Sequence, residues 1–214
     1  MEKIYFLSGL GSKIETTIEF SLELNKYGYE IKYIDIPGQY SNIDVNIKNE
    51  KEFLDWIKSV IPKNSLVMGY SLGADLLLKF SRFLYAKKII ILDGGIIDYD
   101  LMNITMEEDI AMMKSYIEEN QLDMNSKTIS KLISLLRKQY IDIFHVGLDT
   151  ETLLLLSDHP DFVYEYKKNK IKVNRDNMDH IDIQFMKDTS HEIYVEKPRE
   201  IAETIFDWLQ RMNH

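Results

Sequence analysis

The chain of 214 residues carries a net charge of −9, with 45% hydrophobic and 29% charged residues. That length supports one sizeable core rather than two full domains, and the balance is that of a globular protein rather than a disordered or fibrous one. The acidic charge offers no general attraction to phosphate backbones or anionic lipid, and the lack of cysteine excludes disulfides, thiol catalysis and cysteine-ligated zinc.

In chain order, short apolar runs alternate with helical spacing. Ile4–Leu7, Ile31–Ile36, Leu66–Met68, Ile89–Leu92, Leu153–Leu156 and Ile181–Phe185 read as strands. Several are nearly continuous in Ile, Leu and Val, as in a parallel sheet covered on both faces. Phe53, Trp56, Ile57 and Val60 mark one helix between them, and Ala74–Tyr85 a second. Ile201, Ile205, Trp208, Leu209 and Met212 mark the last helix, with Pro198 near its start, where a missing N–H costs little. The pattern predicts a three-layer α/β/α sandwich of about six mostly parallel strands. From Asp98 to His145 no strand is expected, but Ile110, Met113 and Ile117 form one helical stripe and Ile129, Leu132, Ile133 and Leu136 another. An insertion of that length reads as a helical lid within a single domain of residues 1–214. Lys167–Asp179 reads as a solvated connection.

Ile4–Leu7 is too short for a signal-peptide core, and no apolar run approaches the ~20 residues of a membrane span. A soluble cytoplasmic protein is the default expectation, with neither nucleic acid nor membrane as partner. No H-E-x-x-H helix, P-loop or EF-hand ladder is present, so neither a metal nor a cofactor is implied.

Gly69-Tyr70-Ser71-Leu72-Gly73 fits G-x-S-x-G between a strand and a helix, the setting in which a serine hydroxyl is raised on a sharp turn. Ser71 is therefore the candidate nucleophile, and Leu72 N–H, at the helix start, a candidate oxyanion donor. The glycine-rich Ser8–Ser12 loop follows the first strand, and Leu10 N–H is the candidate second donor. A serine needs a base poised near neutral pH, which is histidine's range; His145, His159, His180, His191 and His214 are available.

With these residues in view, the chain resembles the α/β-hydrolase family over nearly its whole length. Asp35-Ile36-Pro37-Gly38-Gln39 is similar to its D-x-P-G-x turn, Gly69–Gly73 to its nucleophile elbow, and Ser190-His191-Glu192 with Glu196-Lys197-Pro198 to its histidine loop and E-x-P helix start. Tyr70 stands where histidine is common, and Ser8-Gly9 where His-Gly is common. The resemblance implies His191 as general base and aligns Asp161, after the Leu153–Leu156 strand, with the family acid. Asp93, ending the preceding strand, is the alternative acid, with Asp158 behind both. Aspartates at strand ends also commonly just cap the next helix. The implied chemistry is hydrolysis of a small-molecule or carrier-bound ester or thioester through an acyl-enzyme. Acyl transfer or carbon–carbon hydrolysis on the same side chains, or non-catalytic ligand binding, are the alternatives.

Overall fold

The computed structural model describes residues 1–98, 103–140 and 142–211; Met212 and His214, named above, lie outside them, as do four residues at the start of the expected lid. Six strands, β1 (Glu2–Leu7), β2 (Tyr29–Ile34), β3 (Leu66–Tyr70), β4 (Lys88–Leu92), β5 (Thr152–Ser157) and β6 (Ile181–Met186), form one sheet in the order β2-β1-β3-β4-β5-β6. Every pairing in it is parallel. All six expected strands are present; five are extended by one or two residues, and the second is shifted from Ile31–Ile36 to Tyr29–Ile34.

The central strands are buried on both faces, which is why they read as unbroken aliphatic runs. Leu66 and Met68, Ile90 and Leu92, and Leu153 and Leu155 face one layer, made by α1 (Ile18–Lys26), α7 (Ile193–Glu196) and α8 (Pro198–Arg211). Val67, Ile89, Ile91, Leu154 and Leu156 face the opposite layer, which includes α2 (Glu50–Val60) and α3 (Leu72–Phe80). Ile201, Ile205, Trp208 and Leu209 of the expected α8 stripe are buried, and Trp208 Nε1 donates to Asp182 Oδ2 on β6 at 2.7 Å. In α2, Asn49 caps the helix by accepting from Glu52 N–H at 3.0 Å. The helix after β3 ends at Phe80, short of Tyr85, and tightens into a 3-10 turn over Ser81–Phe83.

Between β4 and β5 lie α4 (Met106–Glu119) and α5 (Ser126–Lys138). They pack through Met113 and Ile117 against Ile129 and Ile133. Thr105 and Glu108 form a reciprocal capping box at the start of α4. The pair is tied to the loop after β2, where Asn125 N–H donates to Gly38 O at 2.7 Å. Among the described residues, no helix is long and apolar enough to cross a membrane.

One expectation fails. Lys167–Asp179 is not simply a solvated connection, because α6 (Asp161–Val173) runs through its first half and Lys167 is buried. Val163, Lys167 and Ile171 are spaced four apart on one face of that helix, while Lys168 between them is exposed.

The topology also fixes where a site can form. Chain order reverses between β1 and β3, and the carboxyl ends of a parallel sheet at such a switch point leave a crevice between diverging loops. The loops carrying Leu10 and Ser71 flank that crevice.

Candidate active site

Ser71 sits between β3 and α3 with φ 51° and ψ −124°, a left-handed conformation that non-glycine residues rarely hold. The flanking glycines permit it. A Cβ on Gly73 would lie 2.2 Å from Ser8 O, and one on Gly69 2.7 Å from Ala74 Cα, so neither position accepts a larger residue without backbone movement. The turn lifts the Ser71 hydroxyl above the sheet edge.

His191 follows β6 in the loop before α7. Its Nε2 lies 2.8 Å from Ser71 Oγ, and its Nδ1 lies 2.7 Å from Asp93 Oδ2. With Nδ1–H donating to the carboxylate, Nε2 is left to accept the Ser71 proton. The loop is held by its neighbours: Asp158 accepts N–H bonds from Asp188 and Thr189, each at 3.0 Å, and Glu196 accepts from Ser190 N–H at 3.0 Å. Tyr70, buried beneath the elbow, places its ring 5.1 Å from the imidazole and packs edge-on against Tyr194. Tyr70 thus forms an aromatic shelf under the imidazole.

The carboxylate that meets His191 is not the one the resemblance aligned. Asp161 opens α6 with its side chain 98% exposed, 3.9 Å from His159 Nδ1, and makes no bond to His191; a carboxylate there complements the helix N-terminus. Asp158 is a loop clamp. Asp93, the alternative, completes the chain of hydrogen bonds. It ends β4 with φ 44° and is buried. Oδ1 accepts from Ser157 N–H at 2.8 Å and Lys167 Nζ at 2.6 Å; Oδ2 accepts from Ser157 Oγ at 2.9 Å besides His191. Burial pushes this carboxyl up, but the His191 hydrogen bond and the Lys167 charge outweigh burial and hold it below the usual aspartate range. His145 pairs with Asp142 at 2.6 Å, and His159 stands by Asp158, each apart from the Ser71–His191–Asp93 path.

Leu72 is the first residue of α3, where an N–H has no intrahelical acceptor. The loop holding Leu10 lies against the elbow: a Cβ on Gly9 would be 3.0 Å from Ser71 Cβ. Gln39, the last residue of the D-x-P-G-x turn and fully buried, donates from Nε2 to Gly9 O at 3.1 Å and accepts at Oε1 from Gly11 N–H at 2.7 Å. It therefore fixes both neighbours of Leu10. Sequence reasoning assigned Gln39 no role; the signal was a polar side chain closing a motif that packs against a glycine loop.

A cavity of about 490 Å³ opens beside Ser71 and His191. Leu10, Ile97, Met112, Met113, Ile133 and Val163 supply much of its apolar wall, so α4 and α5 roof it. Among the described residues, no Lys or Arg lines it, whereas Asp75 and Asp109 do.

Solved structures share this architecture. A carboxylesterase of the thaumarchaeon Nitrososphaera gargenis matches with a TM-score of 0.76 at 11% identity, over 99% of this chain and 91% of its own. MenH from S. aureus matches at 0.72 and 16%, over 100% and 95%. The carboxylesterase CesB from Bacillus subtilis matches at 0.67 and 14%, over 97% and 83%. The chain has the α/β-hydrolase fold. Its sequence matches neither a family model nor a curated protein. At such identities the likeness concerns the α/β-hydrolase fold alone, and function must be argued from side chains.

Proposed function

We propose that the protein is a serine hydrolase that cleaves an uncharged ester or thioester, with Ser71, His191 and Asp93 as its triad. The continuous hydrogen-bonded path Ser71–His191–Asp93 carries this reading. His191 Nε2 takes the Ser71 proton as Oγ bonds to the substrate carbonyl carbon, and Leu72 and Leu10 N–H receive the oxyanion. The tetrahedral adduct collapses, and the leaving alcohol or thiol takes that proton from His191. Water then attacks the acyl-enzyme while His191 accepts its proton and passes it to Ser71 Oγ, releasing the acid. The helices α4 and α5 act as the lid over the acyl group.

The cavity walls favour a neutral, apolar acyl chain. Asp109 is matched by Arg137 at 3.1 Å, and Asp75 accepts from Gly95 N–H at 2.7 Å, so a carboxylate- or phosphate-bearing acyl group would meet no lining cation among the described residues. Each buried methylene is worth about 0.8 kcal/mol, so kcat/KM for p-nitrophenyl esters is expected to rise about fourfold per methylene from acetate until the cavity is full. Rates that fall from acetate onward, or a preference for acyl chains ending in carboxylate, would overturn the substrate class. A matched thioester series divides the two leaving groups. A fluorophosphonate is expected to label the wild type once, at Ser71; absence of both labelling and turnover would instead favour a binding protein.

Gln39→Leu tests the oxyanion loop. It strips Gly9 O and Gly11 N–H of their shared partner, so kcat is expected to fall about tenfold with KM little changed, in steady-state assays on the best ester.

A further inference from the structure

Lys167 is 1% exposed and paired with Asp93, yet it belongs to no part of the mechanism above. From α6 its ammonium reaches beneath the ends of β4 and β5 and donates to three acceptors. These are Asp93 Oδ1 at 2.6 Å, Ser157 Oγ at 2.8 Å and Ser157 O at 3.2 Å. All three of its protons thus have acceptors. Asp93 then holds two cationic-capable partners on opposite oxygens: Lys167 on Oδ1 and His191 on Oδ2.

We propose that Lys167 is a positioning residue of this triad, clamping Asp93 and partly offsetting its charge so that the imidazole is oriented without being readily protonated. The inference rests on the serine-hydrolase reading. The other charged and titratable groups around the pair are Tyr70 at the end of β3, Tyr194, Glu192 and Glu196 on and beside α7, and Asp158 and His159 after β5. Most are acidic or neutral, and Lys167 is the cation bonded to Asp93. A carboxylate alone would favour imidazolium, removing the base as pH falls. A fixed cation behind that carboxylate opposes this, because it disfavours a further positive charge nearby. It leaves the Nδ1–H hydrogen bond, and hence the orientation of Nε2, in place. Ser157 couples the two functions, since its Oγ accepts from Lys167 and donates to Asp93 Oδ2.

The test is the rate of Ser71 labelling by a fluorophosphonate between about pH 5 and 9. Phosphonylation needs the base but no knowledge of the natural substrate. The proteins compared are wild type, Lys167→Met and Lys167→Gln, with folding followed by thermal melts. Lys167→Gln loses the charge but keeps an N–H donor, one bond shorter in reach, so it serves where the apolar variant fails to fold. In both, the acid limb of the rate profile is expected to move up by about one pH unit. In Lys167→Met the plateau is also expected to fall about tenfold, with Lys167→Gln closer to wild type. A lysine that only neutralises a buried carboxylate would lower the melting temperature and leave the limb in place. An unmoved limb in a folded variant, with wild type labelled at Ser71, overturns this inference alone. A wild type that takes no label at Ser71 overturns the hydrolase reading, and this inference with it.

Discussion

Ser71→Ala is expected to lower kcat for p-nitrophenyl ester hydrolysis by about 10⁴- to 10⁶-fold, the scale on which serine hydrolases lose activity with their nucleophile. The local geometry leaves no substitute. Ser157, the other serine of the cluster, is buried with its hydroxyl committed to Asp93. What remains is water near His191, activated by an imidazole whose Nε2 no longer holds the Ser71 hydroxyl at 2.8 Å. The variant should fold normally, because alanine removes only the exposed oxygen and keeps the backbone of the elbow. Circular dichroism and a thermal melt check that, and steady-state kinetics gives the loss. A fall of less than tenfold in a folded variant would place the nucleophile elsewhere and withdraw the mechanism.

The sheet was legible because burial on both faces leaves a compositional trace. Ile89–Leu92 can be little else than a central strand once it is known to be short and followed by a glycine turn. The elbow was legible for a steric reason, since approaches of 2.2 and 2.7 Å leave only hydrogen at Gly73 and Gly69. Which aspartate meets His191 was not legible in the same way. Asp93 and Asp161 both follow aliphatic strands, and nothing local distinguishes one that points into the sheet end from one that opens a helix in solvent. What separates them is that β4 lies beside β3, which brings Asp93 next to the elbow, together with Ser157 and Lys167 converging on its carboxylate. Lys167 was hidden by composition. It sits among Lys168, Lys170 and Lys172, and the run reads as solvated. The four-residue spacing of Val163, Lys167 and Ile171 was the available sign that one of these lysines faces inward.

Asp93→Asn is expected to lower kcat about 10³- to 10⁴-fold, whereas Asp161→Asn should stay within about twofold of wild type. An amide at position 93 can keep the contact to His191 Nδ1 but can present an N–H donor to it, which selects the tautomer with its proton on Nε2 and so removes the acceptor for the Ser71 proton. It also cannot offset the imidazolium that forms as Oγ attacks. Asp161 makes neither contribution, with its carboxylate in solvent at the start of α6. Because Asp93→Asn also leaves Lys167 buried without its counter-ion, some loss of thermal stability is expected, so kcat is to be compared at a temperature where both variants are folded. Lowering the temperature separates the two effects: a tautomer defect persists wherever the variant is folded, while a protein that is merely less stable regains its rate below its melt. A larger loss in Asp161→Asn than in Asp93→Asn would return the acid to the loop after β5 and show that His191 changes partner during the reaction.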